Sequence, residues 1–104
     1  MIKETVKCNF RIKADPVREV TMISGKTYQV VIDYPLDAPV SFPVEVPGTG
    51  MTTMQLIDQI REIYRKIYKT PAKFRVWGHG IDDLWVEEIH INHEKGLINL
   101  RMGS

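Results

Sequence analysis

The chain has 104 residues, of which 43% are hydrophobic and 26% charged, and its 14 basic and 13 acidic side chains leave a net charge of +1. That length supports one domain, since two cores would each be too small to fold alone, and the even balance of charge argues against nucleic acid as a partner. The single cysteine, Cys8, excludes an internal disulfide. With no apolar run at the start and no stretch of about 18 apolar residues, the expectation is a cytoplasmic domain with no membrane span and no secretory leader.

Residues 5–14 alternate. Val6, Cys8, Phe10 and Ile12 fall on one side, and Lys7, Asn9, Arg11 and Lys13 on the other. This is the pattern of a half-buried strand. Cys8 on the apolar side reads as a small hydrophobe. Lys7, Arg11 and Lys13 share a solvated face, but Phe10 lies on the opposite one, so the basic and aromatic side chains do not form an RNA-stacking surface. Asp15-Pro16 marks a turn, residues 17–23 suggest a second strand, and Ser24-Gly25-Lys26 is another turn. Residues 27–33, with Tyr28, Val30, Val31 and Ile32, form a further strand. Together these pieces read as an antiparallel meander.

Prolines then recur at every fourth position: Pro35, Pro39, Pro43 and Pro47. A polyproline segment is one reading. However, Val40, Phe42, Val44 and Val46 alternate with Ser41, Pro43 and Glu45, which is a strand pattern. A strand containing proline lacks a ladder donor and belongs at a sheet edge. Pro47-Gly48-Thr49-Gly50 leads into the next element. It lacks the lysine of a phosphate loop and the third glycine of a dinucleotide fingerprint, so it reads as a sharp turn rather than an anion cradle.

Residues 52–69 form an amphipathic helix. Thr52 and Gln55 have the spacing of a capping box. Leu56, Ile57, Ile60, Ile63, Tyr64, Ile67 and Tyr68 fall within one arc of roughly 140° at helical periodicity. Asp58, Gln59, Arg61, Glu62, Arg65, Lys66 and Lys69 fill the remainder, with the late cations complementing the helix dipole. Thr70-Pro71 stops the helix.

After the helix, residues 74–77 read as a short extended piece. Residues 84–91 read as a strand with Trp85, Ile89 and Ile91 on one face and Leu84, Val86 and His90 on the other, implying cover on both sides. Residues 92–96 form a hairpin loop ending in glycine. Residues 97–102 form the last strand, with Ile98, Leu100 and Met102 toward the core.

The most distinctive chemistry lies in Trp77-Gly78-His79-Gly80-Ile81-Asp82-Asp83. Glycines on both sides expose His79, and Asp82 or Asp83 could orient its imidazole as an acid, base or ligand. A turn explains the same residues: glycines take unusual backbone angles, an aspartate caps, and Trp77 closes the end of the core. His90 and His93 are three apart, but on a strand that spacing points them to opposite faces, so they do not form a metal pair. This leaves His93 as a loop residue and His90 as a partly buried one. No nucleophile motif is present.

The expected fold is α+β in two layers: a mostly antiparallel sheet of about five strands with one long helix, 52–69, on one face. The placement of strands before and after the helix permits a β-grasp-like or a related topology without choosing between them. The leading functional expectation is a non-catalytic protein–protein interaction module, such as an inhibitor, an immunity-type protein or a small subunit. Its partner would be another protein, or a second copy in a homodimer, and it would need no cofactor or metal. The alternatives are a small-molecule-binding protein or enzyme using Trp77, His79, Asp82 and Asp83, and a nucleic-acid-binding accessory protein.

Overall fold

A computed structural model describes residues 3–6, 22–78 and 80–103, with only the backbone path given for the first of these segments. Its elements in chain order are β1 (Lys3–Val6), β2 (Thr27–Ile32), β3 (Val40–Glu45), α1 (Thr53–Lys69), α2 (Pro71–Phe74), a 3-10 turn at Ile81–Asp83, β4 (Trp85–Asn92) and β5 (Leu97–Gly103).

The helix α1 begins where the sequence predicts. Thr52 holds an extended backbone, its hydroxyl accepts from the Gln55 amide at 3.1 Å, and the Gln55 side chain accepts from the Thr52 amide at 2.8 Å. Two of the helix's first amides therefore have partners. Leu56, Ile57, Ile60, Ile63, Tyr64 and Ile67 are buried, joined by Thr53, while Tyr68 lies half-buried at the margin of the stripe. Each large aliphatic side chain buried this way contributes about 1.5–3 kcal/mol before the entropy of ordering is subtracted. Thr70-Pro71 ends α1, and the same proline then opens the single turn of α2, where a missing amide costs nothing.

The sheet runs β1-β4-β5-β2-β3. Its four-stranded body is mixed. The hairpins β2–β3 and β4–β5 are antiparallel, and they meet through a parallel pairing of β2 with β5, Val30 opposite Ile98. The chain thus runs through a hairpin, a helix crossing the sheet and a second hairpin laid against the first. The antiparallel meander expected for the first third of the chain is corrected here. β1 pairs with β4 (Val6 opposite Ile89) at the edge remote from β2, and the central contact is parallel because α1 carries the chain across the sheet between the hairpins. Most of the strands expected over residues 5–14 and 17–23 lies outside the described residues. Met22 and Ile23, at the end of the second, are not in a strand.

The face of the sheet that meets α1 carries Tyr28, Val30 and Ile32 from β2, Val44 from β3, Val86, Ile89 and Ile91 from β4, and Ile98 from β5, all buried. Leu84 and Val46 extend this layer beyond the strands. The opposite face is more polar, with Thr27, Gln29, Ser41, Glu45, His90, Asn99 and Arg101 exposed. The expected division of faces in β4 is wrong at one point. The pairing with β5 slips between Val86 and Glu88, so a bulge inserts one residue and resets the alternation. Leu84 and Val86 before it and Ile89 and Ile91 after it therefore share the core side, while Trp85 and His90 take the outer face.

The proline-bearing strand β3 is an edge, as predicted. The Gln29 amide donates to Gly96 O at 2.8 Å, so Gln29 turns its backbone toward β5, and its partner Pro43 turns its own backbone away from β2. The donor that proline lacks falls on the open edge, where no ladder bond is lost and an incoming strand finds no hydrogen to accept.

Candidate functional site

Four pieces of chain meet beyond the C-terminal end of α1: the Tyr34-Pro35-Leu36 segment, Tyr64 and Tyr68 of α1, the stretch after α2, and the 3-10 turn. Tyr34-Pro35 is a cis peptide. After α2, Arg75 takes the left-handed conformation (φ 54°) and its amide donates back to Ala72 O at 3.3 Å, which reverses the chain. Val76 then bridges to Leu36, and the Trp77 amide donates to Pro35 O at 3.0 Å. The extended piece expected at residues 74–77 is thus reduced to this one bridge, because Phe74 closes α2 and packs against Phe42 with ring centroids 6.0 Å apart.

These bonds hold Trp77 against Tyr34, ring edge to ring face at 5.6 Å and 82°. Trp77 is nevertheless 47% exposed; Ile23 is the other large hydrophobic side chain exposed among the described residues. Tyr34 is fixed from below, since the buried Tyr64 hydroxyl donates to Tyr34 O at 2.8 Å. Burial, with Asp33 and Tyr68 nearby, holds the Tyr64 hydroxyl well above the usual phenol range. Burial also raises the Tyr68 hydroxyl, with further contributions from Tyr34 and Asp83.

The four residues singled out in the sequence have different roles. Trp77 is the exposed aromatic. The Asp83 carboxylate accepts from the Gly80 amide at 3.2 Å and so closes the 3-10 turn, the capping role that a turn requires. Asp82 is exposed on the same turn, and the turn delivers Leu84 into the core. His79 lies outside the described residues. Tyr34 was missed as a site residue, whereas Tyr68, like Trp77 and Trp85, is one of the large side chains near turns that the sequence offers as a contact residue. Tyr68 sits at the rim of the helix's apolar arc, and an aromatic at that position has one side available to solvent. Nothing local in the sequence marks Tyr34 as the support of Trp77, 43 residues later, because that contact is made by the fold.

The two strand-hairpin histidines exchange the environments expected of them. His93 is buried, with Nδ1 2.7 Å from the Tyr28 hydroxyl, which also accepts from the Ile23 amide at 3.2 Å. His90 is exposed on the outer sheet face, its Nε2 3.0 Å from Glu88, whose other oxygen lies 3.6 Å from Arg101. The bulge in β4 accounts for the outward turn of His90, and the Tyr28 hydroxyl holds His93 inward. Among the described residues no three His, Cys, Asp or Glu side chains come together to hold a metal. A cleft of about 330 Å³ on the outer face is lined by His90, Asn92, Lys95, Leu97 and Asn99, away from Trp77.

Comparison with protein-family models, with curated proteins and with solved structures finds no match to this chain. No helix among the described residues is long and apolar enough to cross a membrane.

Proposed function

We propose that this chain is a small binding module that holds another protein through the aromatic surface formed by Trp77, Tyr34 and Tyr68. The observation that carries this reading is the state of Trp77. A tryptophan left about half exposed forgoes part of its burial energy, yet two backbone tethers and an edge-to-face ring contact fix its position. An aromatic side chain that is already ordered loses little entropy on binding, and tryptophan and tyrosine are the residues that most often dominate contact energies. The exposed Asp82 and Asp83 of the 3-10 turn would supply polar contacts beside it.

The test is affinity purification with the full chain and with Trp77→Ala, followed by mass spectrometry, alongside sedimentation over a range of concentrations. The expected result is a retained protein that is lost with Trp77→Ala. Self-association that Trp77→Ala abolishes would make the partner a second copy. A chain that retains the same proteins with and without Trp77, and sediments as a monomer throughout, contradicts the reading.

A further inference from the structure

The overall charge of +1 conceals a strong asymmetry. Six of the 14 basic residues but only Glu62 of the 13 acidic ones lie in residues 61–75, so this segment carries +5 and the rest of the chain −4. Two of its cations are already matched one helical turn back, Arg61 with Asp58 at 3.3 Å and Arg65 with Glu62. Lys66, Lys69, Lys73 and Arg75 are exposed, and none forms an ion pair among the described residues. The Lys73 ammonium lies 5.5 Å over the Phe74 ring, and Arg75 is two residues from Trp77. This basic arc therefore runs up to the aromatic surface. Three exposed aspartates adjoin that surface in the chain: Asp33 precedes Tyr34, and Asp82 and Asp83 occupy the 3-10 turn.

We infer that the partner presents an acidic protein segment with an apolar anchor beside its carboxylates, the carboxylates facing Lys66, Lys69, Lys73 and Arg75 and the anchor seated on Trp77. The inference rests on the binding reading above and names the chemistry of the partner. Charge complementarity carries it, since four exposed cations that form no ion pair among the described residues accelerate encounter with an anionic surface and select against a basic one. The aspartates beside Tyr34 and in the 3-10 turn decide between two anionic partners. A nucleic acid is negative along its whole length, so a strand bound on the basic arc and stacked on Trp77 would be driven toward Asp33, Asp82 and Asp83. A protein segment can end its acidic run before the aromatic surface and place an uncharged side chain there.

The experiment pans the full chain against a display library of random peptides and reads the enriched pool by sequencing. The expected pool is net negative and contains leucine, phenylalanine, tryptophan or methionine. Its best peptide should bind at least about tenfold more weakly to Lys66→Gln/Lys69→Gln/Lys73→Gln, more weakly in high salt, and more weakly to Trp77→Ala. These are exposed positions, and an unchanged melting temperature certifies that each variant is folded. A neutral apolar pool that needs Trp77 but not the lysines overturns the acidic partner and leaves the aromatic surface standing. A pool that needs the lysines but ignores Trp77→Ala overturns the aromatic surface itself. Oligothymidylate bound as tightly as the best peptide makes the partner a nucleic acid and overturns the inference.

Discussion

Tyr64→Phe removes one oxygen from the contact that joins the core to the aromatic surface. The Tyr64 ring is completely buried and its hydroxyl donates to Tyr34 O at 2.8 Å, so the variant keeps the packing of the ring and loses only that bond. A buried hydrogen bond is worth about 0.5–1.5 kcal/mol net, and a carbonyl left without its donor adds to the loss, which brings the expected destabilisation to about 2 kcal/mol. At about 2.1 cal/mol/K of unfolding entropy per residue, a chain of this length should melt about 9 °C lower at neutral pH. Alkaline pH reverses the comparison. Tyr64 has a raised pKa in the folded state, so its stabilising contribution is complete below the unfolded phenol value of about 10 and is lost as pH rises above it. Wild type should lose about 1.4 kcal/mol per pH unit there, while Tyr64→Phe has no hydroxyl to ionise at this position, so the two stabilities cross near pH 11.5. Urea unfolding followed by circular dichroism from neutral pH to about pH 12 measures both parts. Equal stabilities at neutral pH, or a gap that persists through the alkaline range, would refute the assignment of this hydroxyl as a buried, bonded phenol.

Thr52→Ala removes the side-chain half of the capping box and should cost about 1 kcal/mol in chemical denaturation, whereas Thr52→Ser should cost little. Pro43→Thr restores a backbone donor on the open edge of β3, so the variant should associate in sedimentation at concentrations where wild type stays in its native state, without losing fold by circular dichroism. Gly103 faces Trp85 across β4–β5, and a Cβ there would press into the indole and come within 2.8 Å of the Glu87 carboxylate. Gly103→Ala should therefore displace Trp85, cost about 1–3 kcal/mol, and shift the emission of a Trp77→Phe background in which Trp85 is the remaining tryptophan.

The helix was legible because 3.6-residue periodicity is a local signal with local start and stop residues. Thr52, Gln55 and Pro71 all act as their types require, and six of the seven stripe residues are buried. The β3 edge was legible for a related reason, since proline's missing donor excludes an interior position wherever the strand lies. Three features were not. The parallel contact of β2 with β5 is a choice between ways of laying two hairpins together, and no single strand's pattern encodes it. The bulge at Val86–Glu88 defeats alternation, which assumes that every residue advances the strand by one step. The burial of His93 depends on a hydroxyl 65 positions away in sequence, on Tyr28. The same distinction applies to the site: Trp77, the capping aspartate and the run of cations over residues 61–75 stand out in the sequence, while the contact of Tyr34 with Trp77 emerges only once the Leu36–Val76 bridge is in place.

The most direct test is to titrate the isotope-labelled full chain with the protein recovered by affinity purification and map the amide and indole shift changes by nuclear magnetic resonance. The largest changes should fall on Tyr34, Tyr68, Trp77 and residues 65–75. Changes concentrated instead on Gln29, His90, Asn99 and Arg101, across the outer face of the sheet, would contradict it.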